Sequence, residues 1–304
     1  MAGRRSGLAK IIMALKQDIS FAETSIENRL AEFHRLWRPL LGLSERGDLE
    51  KFASLLANAA KVTHSIEELT DHPELAQVLN YQQRSATDEA CWLLFLYCYI
   101  GRSGLLNVIH RSWSWKKAGS SADTFQKWLS ENQRELKNFG RLGKIHKYRA
   151  FDQNSSKAIS DDVKSYIAWV NASGGHDQLF QNAIIPSQGN PTLAFNELYL
   201  SMNKYTRFKR QIKFDYLCMV GHLQIADIEP GQLYFSDVLP LKKAARQLFS
   251  GHPSAKIPLS ELNELMEALA GYLGTRFTIA VLYKALINWG NEKIVPISPN
   301  FRRY

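Results

Sequence analysis

The chain lacks several features that mark large classes of protein. Its three cysteines (Cys91, Cys98 and Cys218) are too few for a disulfide framework, a four-cysteine zinc site or an iron–sulfur cluster. No apolar run reaches the roughly 18 residues of a membrane span. The longest, "ACWLLFLYCYI" (90–100), has the length of a buried helix. The basic N-terminus has no small-residue cleavage site. These absences predict a cytoplasmic, reduced protein without a membrane segment.

Common catalytic motifs are missing as well. There is no phosphate-binding GxxxxGK[ST] loop, no nucleophile elbow and no HExxH helix. The histidines at 110, 146, 222 and 252 are scattered along the chain. We therefore expect no metal and no cofactor. His176 and Asp177 follow two glycines, a pattern more typical of a polar turn than of a catalytic pair.

Positive charge is abundant and unevenly distributed. The net charge is +9, and the stretch from Arg102 to Arg149 has eleven Lys and Arg residues against three acids, with Trp113, Trp115 and Trp128 interspersed. A second stretch, "KYTRFKRQIK" (204–213), has five basic residues and no acid. Basic stretches with aromatics suit phosphates and exposed bases, so they indicate nucleic-acid binding. The alternative is a solvated helix face with core aromatics behind it.

The pattern of apolar residues is helical nearly throughout. Helical spacing extends over 48–62, 121–140, 160–175, 259–274 and 276–290, and 88–101 is apolar on all sides, as in a central helix. No segment has the alternation of a strand with hairpin turns. We predict an all-α fold with an N-terminal helical region (1–150), a linker of loops (151–191) that includes 174–191, and a C-terminal helical region (192–304), the first and last packed as one unit.

The stretch "YFSDVLPLKKAARQLFSG" (234–251) allows two interpretations. Its frame resembles a helix–hairpin–helix element, in which backbone N–H groups at a tight turn hold a DNA phosphate. Leu241 and Lys243 occupy the places where such hairpins carry glycine, and Lys242, Lys243 and Arg246 would supply phosphate contacts instead. The alternative is an ordinary helix that begins at Pro240, with solvated lysines.

Three segments together resemble a family of DNA glycosylase-like proteins, the alpha-glutamyl/putrescinyl thymine pyrophosphorylases. They are "FKRQIKFDYLCMVG" (208–221), "LPLKKAARQLF" (239–249) and "YKALINW" (283–289). The resemblance covers about the last hundred residues. Both hairpin glycines are absent, and Tyr283 and Lys284 replace an acidic pair of the family motif.

The resemblance implies an enzyme with a helix–hairpin–helix glycosylase-like helical bundle. A DNA glycosylase would flip a modified pyrimidine out of double-stranded DNA and excise it in defence against phage DNA, with no cofactor. A carboxylate would stabilise the oxocarbenium-like sugar. The predicted site residues are, for catalysis, Asp215, Asp237 and Glu261; for the base pocket, Tyr216, Asn288 and Trp289; and for DNA binding, Lys209, Arg210, Lys242, Lys243, Arg246, Lys144 and Lys147.

Two alternatives stay open. A base-modifying transferase of the pyrophosphorylase type would join an amine or amino acid to an activated hydroxymethyl pyrimidine in DNA. A non-enzymatic helical module would bind nucleic acid and leave it unchanged. For Asp215, Tyr216, Asn288 and Trp289, an ion pair or core packing is the competing interpretation.

Overall fold

The part of the chain that the structure describes is entirely helical. The computed structural model describes residues 23–45, 47–64, 72–101, 104–138, 159–205, 210–235, 238–274 and 276–293. These residues form fifteen α-helices and one short 3-10 helix, and no strand occurs among them. The all-α prediction is confirmed.

The 3-10 helix is Leu41–Leu43, and the α-helices are, in chain order, α1 (Glu23–Leu36), α2 (Asp48–His64), α3 (Pro73–Gln83), α4 (Thr87–Ile100), α5 (Gly104–Ser112), α6 (Trp115–Ser120), α7 (Ala122–Glu131), α8 (Gln133–Asn138), α9 (Ile159–Asn171), α10 (His176–Ile184), α11 (Pro191–Tyr205), α12 (Arg210–His222), α13 (Leu239–Ser250), α14 (Leu259–Leu273) and α15 (Thr278–Lys293).

These helices form two compact units. The first contains α3 to α12, and the second contains α1, α2, the 3-10 helix and α13 to α15. The sequence-based boundaries at 150 and 191 do not coincide with this division. Helices α9 to α12 belong to the same unit as α4, whereas α1 and α2 belong with the C-terminal helices. Segments that are close in sequence are therefore not always close in the fold.

The first unit is built around α4. Nine of its fourteen residues are buried, from Ala90 to Leu96 together with Tyr99 and Ile100. Its aromatic side chains pack against those of α9, and the ring of Phe95 stacks on Tyr166 with centroids 3.8 Å apart. A helix that is apolar on every face is stable only when other helices surround it, as the sequence predicted.

The predicted loop 174–191 contains a helix, α10, so this part of the prediction was wrong. Gly174 and Gly175 adopt φ values of +88° and +127°, which L side chains rarely adopt, and they reverse the chain after α9. Helix α10 then begins at His176, and its first amide is bound by a side chain from α4 rather than by a local cap. The local sequence therefore gave no cap signal.

Two other helix boundaries also differ from the expectation. The helical segment 121–140 breaks at Asn132, whose backbone N–H and side-chain amide both donate to the Trp128 carbonyl, over 3.0 Å and 2.9 Å. Helix α15 continues past Gly290 to Lys293. This glycine lies where α15 approaches α13, because a Cβ there would lie 2.9 Å from the Ala244 Cβ. It serves close packing rather than helix termination.

The second unit places α13 against both the 3-10 helix and α15. The buried face of α13 consists of Leu241, Ala244, Ala245, Leu248 and Phe249. Gly42 of the 3-10 helix contacts the α13 backbone so closely that a Cβ would lie 2.9 Å from the Leu248 Cα. Small residues thus allow backbones to approach each other directly.

Helix α13 begins at Leu239, with Pro240 in its first turn. This agrees with the interpretation of the segment as a proline-started helix. No side chain caps its first turn, and Gly251 ends it in the left-handed conformation with φ of +72°.

None of the described helices is by itself long and apolar enough to cross a membrane.

Candidate functional site

A hydrogen-bonded pair of Asp88 and His176 joins α4 to α10 in the first unit. His176 is fully buried, whereas the Asp88 side chain is 48% exposed. One carboxylate oxygen, Oδ1, lies 2.6 Å from the imidazole Nδ1 and accepts the His176 backbone N–H over 3.1 Å. Within the described residues, no protein donor contacts the other oxygen, Oδ2. Asp88 therefore has one oxygen held by the protein and a second available at the surface.

Behind His176, hydrogen bonds continue into the core. The imidazole Nε2 lies 2.7 Å from the Tyr166 hydroxyl, which lies 2.9 Å from the Tyr216 hydroxyl. The Tyr166 hydroxyl also lies 3.4 Å from the Cys91 carbonyl oxygen. Tyr166 and Tyr216 are both fully buried. We call Asp88, His176, Tyr166 and Tyr216 the polar chain.

The ionisation of these groups determines the direction of the hydrogen bonds. The hydrogen bond from His176 lowers the pKa of Asp88, so Asp88 is a carboxylate and accepts. Burial lowers the pKa of His176 despite the neighbouring carboxylate, so His176 is neutral near pH 7. Its Nδ1 then carries the proton and its Nε2 accepts from Tyr166. Burial raises the pKa of both tyrosines well above the usual range, so their hydroxyls stay protonated.

Asp88 and Glu89 are neighbours in the first turn of α4, and each binds the N-terminus of a different helix. Asp88 accepts the first amide of α10. Glu89 accepts the Trp115 amide of α6 over 2.9 Å and the Lys116 amide over 3.4 Å. Carboxylates at helix N-termini satisfy free N–H groups and the positive end of the helix dipole. These two side chains thus fix where α6 and α10 begin.

Aromatic rings surround the buried part of the polar chain. The Trp115 ring packs edge-on against His176 at 4.7 Å, and Trp92 and Phe95 lie against Tyr166. Trp113 and Trp115 are each only 8% exposed, so these tryptophans of the basic stretch are core residues. Arg111, Lys116 and Lys117 of the same stretch are exposed. In this part of the basic stretch, the charged residues form an exposed face and the aromatic residues lie in the core behind it. This is the alternative to nucleic-acid binding that the sequence left open.

The structure places three predicted site residues on α12 in the first unit. Tyr216 belongs to the polar chain. Asp215 is half-buried near Cys98, whose pKa is raised by burial and by the charge of Asp215. Arg210 is only 2% exposed, and its guanidinium lies 4.1 Å from the Phe214 ring centroid. The Arg210 side chain is therefore directed into the protein rather than towards solvent.

Six other predicted residues lie in the second unit. Trp289 is 1% exposed and packs edge-on against Phe52 at 5.5 Å, whereas Asn288 beside it is exposed. Glu261 lies 3.9 Å from Arg38 at the surface. Lys242 and Lys243 are half-buried, and Arg246 donates to the Ile257 carbonyl over 3.3 Å. Among the described residues of each unit, no predicted catalytic carboxylate forms a hydrogen bond with a predicted base-pocket residue.

The remaining predicted residues, Asp237, Lys209, Lys144 and Lys147, lie outside the described residues.

Sequence reasoning missed two residues, Tyr166 and Asp88, of which Asp88 is the partner of His176. His176 was considered only with Asp177, which is exposed, whereas its partner is 88 residues away in sequence. The Thr-Asp-Glu start of α4 has the composition of an ordinary helix N-terminus, so no local signal marked it. Among the described residues, no group of three or more His, Cys, Asp or Glu side chains is arranged to hold a metal ion.

Comparison with known proteins identifies one family. No curated protein and no solved structure matches the chain. The sequence model of the family "alpha-glutamyl/putrescinyl thymine pyrophosphorylase clade 3" matches residues 49–297. The match covers most of the chain, including every helix of the polar chain and the three segments that carried the resemblance. The chain therefore belongs to the alpha-glutamyl/putrescinyl thymine pyrophosphorylase family, clade 3.

Proposed function

We propose that the protein joins an amine or amino acid to a pyrimidine base in DNA whose 5-hydroxymethyl group is activated as a pyrophosphate ester. The observation that carries this proposal is the family match over residues 49–297, which spans both packing units. The family description names a thymine-type base, a pyrophosphate group and a glutamyl or putrescinyl group. A reaction that connects all three is the displacement of pyrophosphate by an amine.

The bond changes of this reaction are simple. The lone pair of the amine nitrogen attacks the exocyclic methylene carbon of the base and forms a C–N bond. The C–O bond to the pyrophosphate breaks, and its electrons leave with the pyrophosphate. One proton leaves the amine nitrogen and passes to water. The site must therefore accommodate positive charge on nitrogen, and the net charge of +9 favours binding of DNA and of the anionic leaving group.

The glycosylase hypothesis makes a different demand. It needs a carboxylate beside the sugar C1′, for which Asp215, Asp237 and Glu261 were the candidates, and it leaves an abasic site. The family description names a pyrophosphorylase rather than a base excision. We therefore place the transferase ahead of the glycosylase, and a role in defence against phage DNA depends on the glycosylase alternative.

One experiment separates the two reactions. A duplex oligonucleotide with a single pyrophosphate ester of 5-hydroxymethyluracil is incubated with the protein and either putrescine or glutamate, and a thymine duplex serves as control. We expect release of pyrophosphate and a gain in base mass equal to the added amine, with no strand breakage in alkali. Alkali-labile strands without an adduct would establish the glycosylase instead. Tight binding with unchanged DNA would contradict both enzymes.

A further inference from the structure

We propose that Asp88 binds the ammonium group of the amine substrate and stabilises the positive charge on nitrogen as the C–N bond forms. His176, Tyr166 and Tyr216 are positioning residues that hold its carboxylate. This proposal deepens the proposed function and depends on it for the catalytic step, whereas amine binding can be tested alone.

Glu89 also caps a helix, and its contacts differ from those of Asp88 in a way that capping alone does not explain. A carboxylate that only caps a helix needs backbone N–H groups, and Glu89 contacts two of them with its two oxygens. Asp88 takes both of its contacts on a single oxygen, from the backbone and from the imidazole of His176. Its other oxygen is therefore left for a ligand, whereas Glu89 uses both oxygens for α6.

The buried side of Asp88 is more elaborate than a cap requires. His176, Tyr166 and Tyr216 place three polar side chains in an aromatic core, where each polar group must be paired to offset the cost of desolvation. They form one line of hydrogen bonds that ends at the surface carboxylate. Such a line restricts the rotation of Asp88 and fixes the direction of Oδ2, in the way that a residue behind a catalytic histidine fixes its ring.

The space in front of Asp88 is open. The Asp88 side chain is 48% exposed. Gly175 lies beside the carboxylate, where a Cβ would be 3.7 Å from Oδ1 and 3.9 Å from Oδ2, so the glycine keeps a side chain away from both oxygens. An ammonium group can approach Oδ2 there and form a charge-assisted hydrogen bond.

The electrostatic state of Asp88 suits a charge-stabilising role rather than proton storage. The hydrogen bond from His176 lowers the pKa of Asp88, so the carboxylate remains ionised throughout the range in which amines are partly deprotonated. The bound ammonium first releases one proton to water. The neutral amine then attacks, and its nitrogen becomes positive again until it loses a second proton to water. A fixed negative charge at that point lowers the energy of the transition state. From the neutral amine onwards, the proton balance is the same as in the proposed reaction.

The test compares Asp88→Asn with Glu89→Gln. Both variants replace a carboxylate by an amide of the same shape. The amide oxygen of Asp88→Asn can still accept both contacts that Oδ1 makes, whereas Glu89→Gln keeps one acceptor oxygen and loses one of its two backbone contacts. If both carboxylates are only helix caps, Asp88→Asn therefore lowers stability and activity no more than Glu89→Gln does. If Asp88 binds the amine, we expect Asp88→Asn to raise the KM for putrescine about tenfold and to lower kcat about 100-fold. Glu89→Gln keeps both constants within about twofold of the parent protein.

The positioning role has a separate readout. We expect Tyr166→Phe to lower kcat while leaving the KM for the amine nearly unchanged, because the carboxylate remains but its direction is less fixed. A similar rise in KM for Tyr166→Phe and Asp88→Asn would contradict this assignment.

A binding measurement keeps the proposal independent of the reaction and of variant folding. Putrescine and glutamate are titrated into the parent protein without DNA, and the carboxyl carbon resonances of Asp88 and Glu89 are followed by NMR. We expect the Asp88 resonance to shift and the Glu89 resonance to stay unchanged. The amine that causes the shift, putrescine, glutamate or both, is the one that supplies the ammonium group. No shift at Asp88 with either amine would overturn the proposal, even if the transfer reaction occurs. A shift without any transfer would leave amine binding established and the proposed function wrong.

Discussion

The two packing units differ in the kind of residue that lies at particular contacts between their helices. In the first unit, α4, α9, α10 and α12 meet through the polar chain, in which each hydroxyl and ring nitrogen depends on its neighbour. In the second unit, α13 meets the 3-10 helix and α15 through Gly42, Ala244 and Gly290, where backbones nearly touch. The first arrangement is sensitive to loss of a polar atom or a proton, and the second is sensitive to added volume.

The largest effect is expected at Gly42 in the second unit. Gly42→Ala places a Cβ against the Gln247 carbonyl and 2.9 Å from the Leu248 Cα, and backbone cannot rotate away as a side chain can. We expect the free energy of unfolding to fall by about 3 kcal/mol, measured by denaturant unfolding.

The matched control is Gly271→Ala on α14, where a Cβ meets no atom within 4 Å. This change is expected to stabilise the protein by about 0.5 kcal/mol through helix propensity. Equal effects at both glycines would show that close packing at Gly42 does not set the stability of the second unit.

The next effect concerns the first unit. Tyr166→Phe removes the hydroxyl that joins His176 to Tyr216 and leaves two buried polar groups with one partner fewer. We expect a loss of about 2 kcal/mol in the free energy of unfolding. Tyr81→Phe is the control, because its hydroxyl is half-buried and lies 3.5 Å from His110, and it should change stability by less than about 0.5 kcal/mol.

DNA affinity can distinguish the surfaces of the two units. Lys116→Glu with Lys117→Glu reverses charges on α6, and Lys242→Glu with Lys243→Glu does so on α13. If one of these surfaces contacts DNA, we expect its double variant to bind DNA about tenfold more weakly. The slope of log affinity against log salt concentration should also decrease by about one unit per lost phosphate contact. Affinity that is unchanged in both double variants would place DNA binding elsewhere in the chain.

The smallest expected effect is a dependence of the first unit on pH. Because burial lowers the pKa of His176, the unfolded chain binds a proton there at a higher pH than the folded chain does. Stability is therefore unaffected above the unfolded pKa of about 6.5, and it is lost as the pH falls below that value towards the folded pKa. Hydrogen exchange in α10, corrected for the intrinsic rate, should accelerate over this range relative to α14. The same acceleration in a His176→Gln variant would assign the effect to another group.

The comparison also explains what could be predicted from sequence. Helices such as α2, α4, α9 and α14 were predicted correctly because the apolar pattern that indicates each of them lies within its own segment. Helix α10 was missed because its cap, Asp88, comes from another helix. Gly290 was read as a helix end, whereas its small size serves contact with Ala244. Such roles depend on tertiary neighbours, which no local pattern contains.

The same distinction applies to the candidate site. Tyr216 was selected from a motif, and it does lie among polar side chains. Asp88 and His176, however, are separated by 88 residues and by five of the described helices. Trp289 was selected for the base pocket, with core packing as the alternative, and Arg210 for DNA binding, and the structure buries both. Residue type indicates what a side chain can do, and burial and partners determine whether it is placed to do it.

The adjacent caps Asp88 and Glu89 have a consequence for the order in which the first unit folds. Helix α6 has six residues and α10 has nine, which is too short for either to be stable alone in water. Both depend on amides bound by the first turn of α4, so α4 must be in place before either is stable. We expect α4 to be structured in the folding transition state, with α6 and α10 forming afterwards, so that shortening the loop between α9 and α10 would change the unfolding rate more than the folding rate.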